Sequence, residues 1–249
     1  MKIAFAQLWV NENDRDATFL SAESLIKTAA KNGSDMIFFQ EMTLTGYSMD
    51  IEKTADKNGE TERLFAAAAA KYNIAVGFGH VKPSGEKAKN MYTVLDNKGK
   101  AIAAYTKIHP FSYAGEDKYF YGGESECRFE YNGIKFALII CYDLRFAYVF
   151  GGEYDIMLVP ADWPRSRADH WLTLLKARAI ENQSYVAGIN RAGKENGNTA
   201  VFDPRGIEAA RLESTQGLVY ADISSENVKK ARLDFPVRQD RKINYTYAL

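Results

Sequence analysis

The sequence predicts a mixed α/β protein, one domain over residues 1–249, with helices covering the faces of its sheet. Short apolar runs rich in Ile, Val, Phe and Tyr, bounded by Gly, Asn and Asp, alternate with stretches of helical periodicity. No Pro-rich or Ser-rich linker and no repeat of fixed period interrupts them. The segment from Ile156 to Ile189 reads as one parallel, right-handed strand–helix–strand unit.

The elements follow in order. Ile3 to Gln7 is a strand. Phe19, Ala22, Ile26 and Ala29 then recur at the spacing of one helix face. Met36 to Gln40 and Ile74 to Gly79 are apolar enough for buried strands, and the Ala66 to Ala70 run between them is helix-forming filler. Met91 to Leu95 and Ala101 to Tyr105 flank Asp96-Asn97-Lys98-Gly99-Lys100, a hairpin connection with glycine near its turn. Phe136 to Ile140, Ile156 to Val159, Tyr185 to Ile189 and Leu218 to Asp222 complete the strands. Trp171, Leu174, Leu175 and Ala179 mark the helix inside the strand–helix–strand unit.

The totals narrow the function. At 249 residues, 46% hydrophobic and 26% charged, the chain has an ordinary globular composition. Lys plus Arg and Asp plus Glu are balanced at 32 each, so nothing favours a nucleic-acid or anionic-membrane partner. The first residues enter a strand at once, with no basic segment followed by an apolar one, and no signal peptide is expected. No apolar run approaches the roughly 20 residues that span a bilayer. Two cysteines, Cys127 and Cys141, are too few for a disulfide scaffold. A reduced, cytoplasmic setting is expected.

Cys141 carries the chemical signal. It ends the run Phe136-Ala137-Leu138-Ile139-Ile140 and enters the polar turn Tyr142-Asp143-Leu144-Arg145, the way a nucleophile is presented at a strand end. A thiol nucleophile needs a base, an oxyanion donor and an orienting group. Glu41 follows the strand Met36 to Gln40, Lys107 follows Ala101 to Thr106, and Glu116 lies nine positions beyond Lys107. His80, His109 and His170 show no orienting carboxylate by spacing, so a Cys–His pair has poor support. His109, on an extended segment, would share the side of Lys107. No histidine pair has metal-ligand spacing, Cys127 and Cys141 form no CxxC, and no glycine-rich phosphate cradle is present. No metal or other cofactor is implied, and Cys127 reads as a bystander.

Glu41, Lys107 and Cys141, in that order, resemble the Glu-Lys-Cys triad of the nitrilase superfamily of carbon–nitrogen hydrolases. The resemblance runs through Gln40-Glu41-Met42-Thr43-Leu44-Thr45-Gly46-Tyr47, Thr106-Lys107-Ile108-His109 and Cys141-Tyr142-Asp143-Leu144-Arg145-Phe146. It continues in Asp162-Trp163-Pro164, Lys176 to Gln183, Val186 to Arg191 and Asp203-Pro204-Arg205-Gly206. Ala114-Gly115-Glu116 and the segment from Trp163 to Trp171 resemble the bacterial omega-amidases, which act on 2-oxo-acid monoamides. The resemblance implies an α-β-β-α sandwich, a single carbon–nitrogen hydrolase domain, and a homodimer or larger homo-oligomer paired across a helix layer. Gln40, Pro110, Ala147 and the short loop from Ala192 to Ala200 depart from the family pattern, and the loop bears on the pocket rim or dimer edge.

The implied roles are specific. Glu41 would be general base to the Cys141 thiol, whose free pKa of about 8.5 leaves it mostly protonated at neutral pH. Lys107 and the backbone N–H of Tyr142 would hold the oxyanion, and Glu116 would support Lys107 and the substrate nitrogen. Arg145 and Arg167 are the candidates to bind a substrate carboxylate, and Trp163 to wall the pocket. A structural pairing of Arg145 with Asp143 or Glu153 is the alternative. The small-molecule amide is expected to be a 2-oxo-acid monoamide; a carbamoyl compound, a damaged glutathione-like amide or a nitrile are alternatives within the same chemistry. A non-catalytic assembly module is the alternative outside it.

Overall fold

The computed structural model describes residues 1–150 and 152–240. Two six-stranded sheets face each other. The first has the order β12-β1-β2-β3-β4-β5 and the second β11-β10-β9-β8-β7-β6. The strands are β1 (Lys2–Gln7), β2 (Met36–Phe38), β3 (Ala75–Ser84), β4 (Lys87–Leu95), β5 (Ala101–Thr106), β6 (Cys127–Tyr131), β7 (Ile134–Leu138), β8 (Ile156–Ala161), β9 (Tyr185–Asn190), β10 (Thr199–Phe202), β11 (Glu208–Leu212) and β12 (Gly217–Asp222). The helices are α1 (Arg15–Lys31), α2 (Ile51–Thr54), α3 (Glu60–Tyr72), α4 (Glu116–Tyr119), α5 (Ala168–Asn182) and α6 (Ser225–Asp234). Among the described residues no helix is long and apolar enough to cross a membrane.

Alternation along the strands builds the layers. In β1, Phe5 points between the sheets while Ala4 and Ala6 point outward. The inner layer joins Phe5, Phe38, Tyr92 and Tyr105 of the first sheet to Phe136, Leu138, Ile156 and Leu158 of the second. Ile26 and Ala29 of α1 and Phe65 and Ala69 of α3 cover the outer face of the first sheet. Trp171, Leu175 and Ala179 of α5 cover Ala137, Met157 and Val159 on the outer face of the second. The result is the expected α-β-β-α sandwich. Strands buried on both faces must be apolar throughout, which is why their runs stood out in the sequence.

Each sheet has a parallel centre: β1, β2 and β3 in one, β7, β8 and β9 in the other. The unit β8–α5–β9 is parallel as expected, and β4–β5 is the expected antiparallel hairpin. Three strands had no sequence signal. β6 and β11 are edge strands with charged or half-exposed residues, and β10 has four residues. β2 is shorter than expected, because after Phe38 the chain turns and Phe39 N–H bonds Gly77 O. β3 and β4 extend beyond their apolar stretches into a hairpin that pairs Lys82 with Lys89 and Pro83 with Ala88.

Candidate active site

The carboxyl ends of the central parallel strands point to one region, where ligand crevices of α/β sheets form. Glu41 lies in the turn after β2. Thr43 N–H bonds Gly79 O, Gly79 N–H bonds Thr43 Oγ1, and the Tyr92 hydroxyl donates to Phe39 O, which locks this turn onto the sheet. Gly79 permits the approach: a Cβ there would lie 2.5 Å from Met42 N and 2.9 Å from Glu41 Cα. Met42 adopts φ 44° and Cys141 φ 45°, left-handed conformations that cost energy in residues with a Cβ and cluster at functional sites. Cys141 begins a 3-10 turn, Cys141–Arg145, after β7.

Glu41, Lys107 and Glu116 meet in a buried cluster, 1%, 1% and 0% exposed. Lys107 Nζ donates to Glu41 Oε1 at 2.9 Å and to Glu116 Oε2 at 2.8 Å. Asn90 Nδ2 donates to Oε1 of both carboxylates, at 2.6 and 3.0 Å. Glu116 Oε2 also accepts from the Tyr47 hydroxyl and from Phe111 N–H. Asp162 N–H donates to Glu41 Oε2 at 3.1 Å, and Cys141 lies close enough to Glu41 and Lys107 for their charges to act on its thiol.

The electrostatics follow from burial and sign. Burial raises the Glu41 pKa; the Lys107 ammonium opposes this and the Glu116 charge adds to it. Burial works against the Lys107 ammonium, but the two carboxylates outweigh it and hold Lys107 protonated well above its ordinary range. Burial, with the Glu41 charge beside it, pushes the Cys141 thiol well above its usual value, against the pull of Lys107. Cys141 therefore rests as a thiol and needs a base.

Cys141 and Lys107 open onto a cavity of about 280 Å³ whose wall includes Tyr142, Arg145, Trp163 and Arg167. The Arg145 guanidinium lies 4.7 Å from the Trp163 ring centre and Arg167 lies 5.5 Å from that of Phe111. Arg165 is exposed and off this wall. The pairing alternative for Arg145 does not form. Asp143 is taken by Tyr105 and His109, and Glu153 by Arg232 and Arg238. Arg191 also lines the wall but is committed to Glu12 and Asp162. The short loop after Arg191 reaches the rim through Glu195 and Asn196. Trp163 is buried, with its indole N–H on Arg167 O and its ring against Trp171.

Two expectations change. His109 does have an orienting carboxylate, Asp143 Oδ1 at 2.6 Å from Nδ1, hidden by 34 residues of separation. It sits in a bend rather than an extended segment, stacks on Phe146, and its Nε2 meets the Tyr148 hydroxyl. Both ring nitrogens are engaged, so a Cys–His pair gains nothing. Asn90 and Tyr47 also join the cluster without having been singled out. Asn90 had a legible signal, since it shares the parity of inward Tyr92 and Val94, one residue before the expected start of that strand. Cys127 is distant in character, its thiol pushed up to about 11 by burial.

A carbon–nitrogen hydrolase family model matches residues 2–233. 2-Oxoglutaramate amidase of Bacillus subtilis (strain 168) is 31% identical over 233 residues, 88% of this chain and 89% of that protein. Omega-amidase YafV of Escherichia coli (strain K12) is 32% identical over 218 residues, 84% of each. Among solved structures, XC1258 from Xanthomonas campestris, a CN-hydrolase superfamily protein with an arsenic adduct in the active site, matches with a TM-score of 0.90 at 26% identity, over 100% of this chain and 98% of that one. With its two sheets flanked by helices and a family match spanning nearly its whole length, the chain belongs to the carbon–nitrogen hydrolase family.

Proposed function

We propose that the chain hydrolyses a 2-oxo-acid monoamide to the 2-oxo dicarboxylate and ammonia through a thioester on Cys141. The observation that carries this is the conjunction of a thiol beside a buried carboxylate, a neighbouring ammonium, and two guanidiniums on the wall of one cavity. Relatives named 2-oxoglutaramate amidase and omega-amidase support the substrate class.

In this reading Glu41 takes the thiol proton as sulfur forms its bond to the amide carbon. Lys107 has three N–H donors. Glu41 and Glu116 occupy two, which leaves one for the oxyanion, joined by the backbone N–H of Tyr142. As the tetrahedral intermediate collapses, Glu41 protonates the departing nitrogen and the C–N bond breaks. Glu41 then deprotonates a water that attacks the thioester, and the sulfur leaves with that proton. Glu116, with acceptor sites filled by Lys107, Asn90, Tyr47 and Phe111 N–H, acts as the clamp on Lys107.

Among the described residues neither Arg145 nor Arg167 is ion-paired, and a half-buried guanidinium of this kind suits a bidentate carboxylate. Ammonia release from 2-oxoglutaramate should exceed that from a carboxyl-free amide of similar length. Arg145→Gln and Arg167→Gln should each raise KM for the former about tenfold or more and leave the latter unchanged. Equal rates on the two amides would remove the carboxylate-reading role.

The proposal extends to a homodimer. Ile180 of α5, Leu233 of α6 and Phe235 just beyond it are 48%, 76% and 70% exposed, an apolar set that suits a helix-layer contact. Light scattering should give twice the chain mass; a monomer at micromolar concentration would contradict it.

A further inference from the structure

Asn90 lies between the two buried carboxylates and is itself 1% exposed. Its Nδ2 donates to Glu41 Oε1 and Glu116 Oε1, while its Oδ1 has no partner among the described residues. The reverse amide orientation would aim a carbonyl oxygen at both carboxylates, so its neighbours fix the orientation. β4 fixes the backbone: Asn90 O accepts from Lys107 N–H, and Asn90 pairs with Val81 of β3. A buried carbonyl oxygen left unpaired is unfavourable, and the two donated N–H bonds are what the amide supplies in return.

We infer that Asn90 is a positioning residue that decides which oxygen of Glu41 carries the proton, closing Oε1 and leaving Oε2 to do the transfer. The inference rests on the thioester reading above. Oε1 faces Asn90 Nδ2–H and Lys107 Nζ–H, and neither group has a lone pair to accept a proton from it. Oε2 receives the Asp162 N–H, and Asp162 lines the same cavity as Cys141. Oε2 is therefore the Glu41 oxygen on the side of Asp162 and of the cavity that Cys141 lines. When the S–H bond breaks, its proton therefore goes to Oε2, and sulfur keeps the electron pair that forms the bond to carbon. The same O–H then faces the departing nitrogen.

Lysine alone would leave a lone pair of Oε1 open. A second ammonium there would close it, but at the expense of the basicity of Glu41. A neutral amide closes it without adding charge, and its second N–H holds Glu116 at a fixed separation. The charged and titratable groups facing Glu41 are Lys107 at the end of β5, Glu116 of α4, Cys141 after β7 and Tyr47 of its own loop. The Asp162 carboxylate is turned to Arg191 and Asn196.

The test uses Asn90→Asp, which keeps the shape and replaces donor by acceptor; Asn90→Leu, which removes both polar ends; and Asn90→Ser, which restores one donor. Two readouts are followed against pH: kcat/KM for 2-oxoglutaramate, and alkylation of Cys141 by iodoacetamide, located by mass spectrometry. Asn90→Asp and Asn90→Leu should lower kcat about 10²-fold with KM changed less than about threefold. In Asn90→Leu the acid limbs of both profiles should move to higher pH, because Glu41 has lost a donor that favours its ionised form; Asn90→Ser should recover part of both. Folded variants with lower melting temperatures but wild-type pH limbs would make Asn90 merely structural and overturn the inference. So would failure of all three to fold. A wild type that alkylates with the expected limb yet hydrolyses no amide would sink the substrate reading and leave this inference standing.

Discussion

Cys141→Ser is expected to lower ammonia release by on the order of 10⁴-fold or more, with the melting temperature close to that of the wild type. The hydroxyl is far less acidic than a thiol. Glu41 sits in a site tuned to a group that burial has already pushed well above its usual value, and it has no comparable reach for an alcohol. The substitution removes little volume, and the cluster of Glu41, Lys107, Glu116 and Asn90 does not depend on the sulfur for its hydrogen bonds. Stability and activity should therefore separate cleanly. In the wild type, rapid quenching during turnover should place an acyl mass on Cys141. Turnover retained by the serine variant, or an acyl group found elsewhere, would remove Cys141 from the mechanism.

Lys107→Met is expected to injure both properties. Activity should fall by about 10²–10³-fold from loss of the oxyanion donor alone. Stability should fall by about 3–5 kcal/mol, because Glu41 and Glu116 would remain buried with no cation between them. The sign of the pH dependence distinguishes this from a packing defect. In the variant, burial and the Glu116 charge, no longer opposed by Lys107, raise the Glu41 pKa of the folded state further above that of the unfolded chain. Such groups favour the folded state fully below the unfolded-state pKa, and that contribution is lost as pH rises through the folded-state pKa. The variant should thus recover part of its melting temperature on mild acidification, toward the ordinary carboxylate range. A loss equal at all pH values would mean that Lys107 fills space and does not neutralise charge.

The order of Glu41, Lys107 and Cys141 along the sequence was legible because each follows a run with strand character, Glu41 and Cys141 the buried β2 and β7 and Lys107 the edge strand β5. The two-sheet layering was less so. The runs identify strands, but only the alternation of Phe5 with Ala4 and Ala6 tells which face meets the other sheet and which meets a helix, and both faces are apolar. β6 and β11 escaped notice because an edge strand can afford Arg128, Glu130, Glu208 and Arg211. Asn90 carried only the signal of parity with Tyr92 and Val94, because a polar residue at a strand's start does not by itself tell a solvent-facing position from one turned toward the two acids. The pairing of His109 with Asp143 joins two segments whose proximity exists only once β5 and β7 lie in facing sheets.

That facing has a consequence of its own. The carboxylate that would take the proton hangs from one sheet and the sulfur that would give it up hangs from the other. No short stretch of chain ties them. What spaces them is the filling between, where Phe38, three residues before Glu41, rests against Phe136, five residues before Cys141, with ring centres 6.1 Å apart. The thickness of that aromatic spacer is a built-in gauge for the proton's jump. A change of side-chain volume at Phe38 or Phe136, neither of them on the cavity wall, is therefore expected to alter the rate as well as the stability.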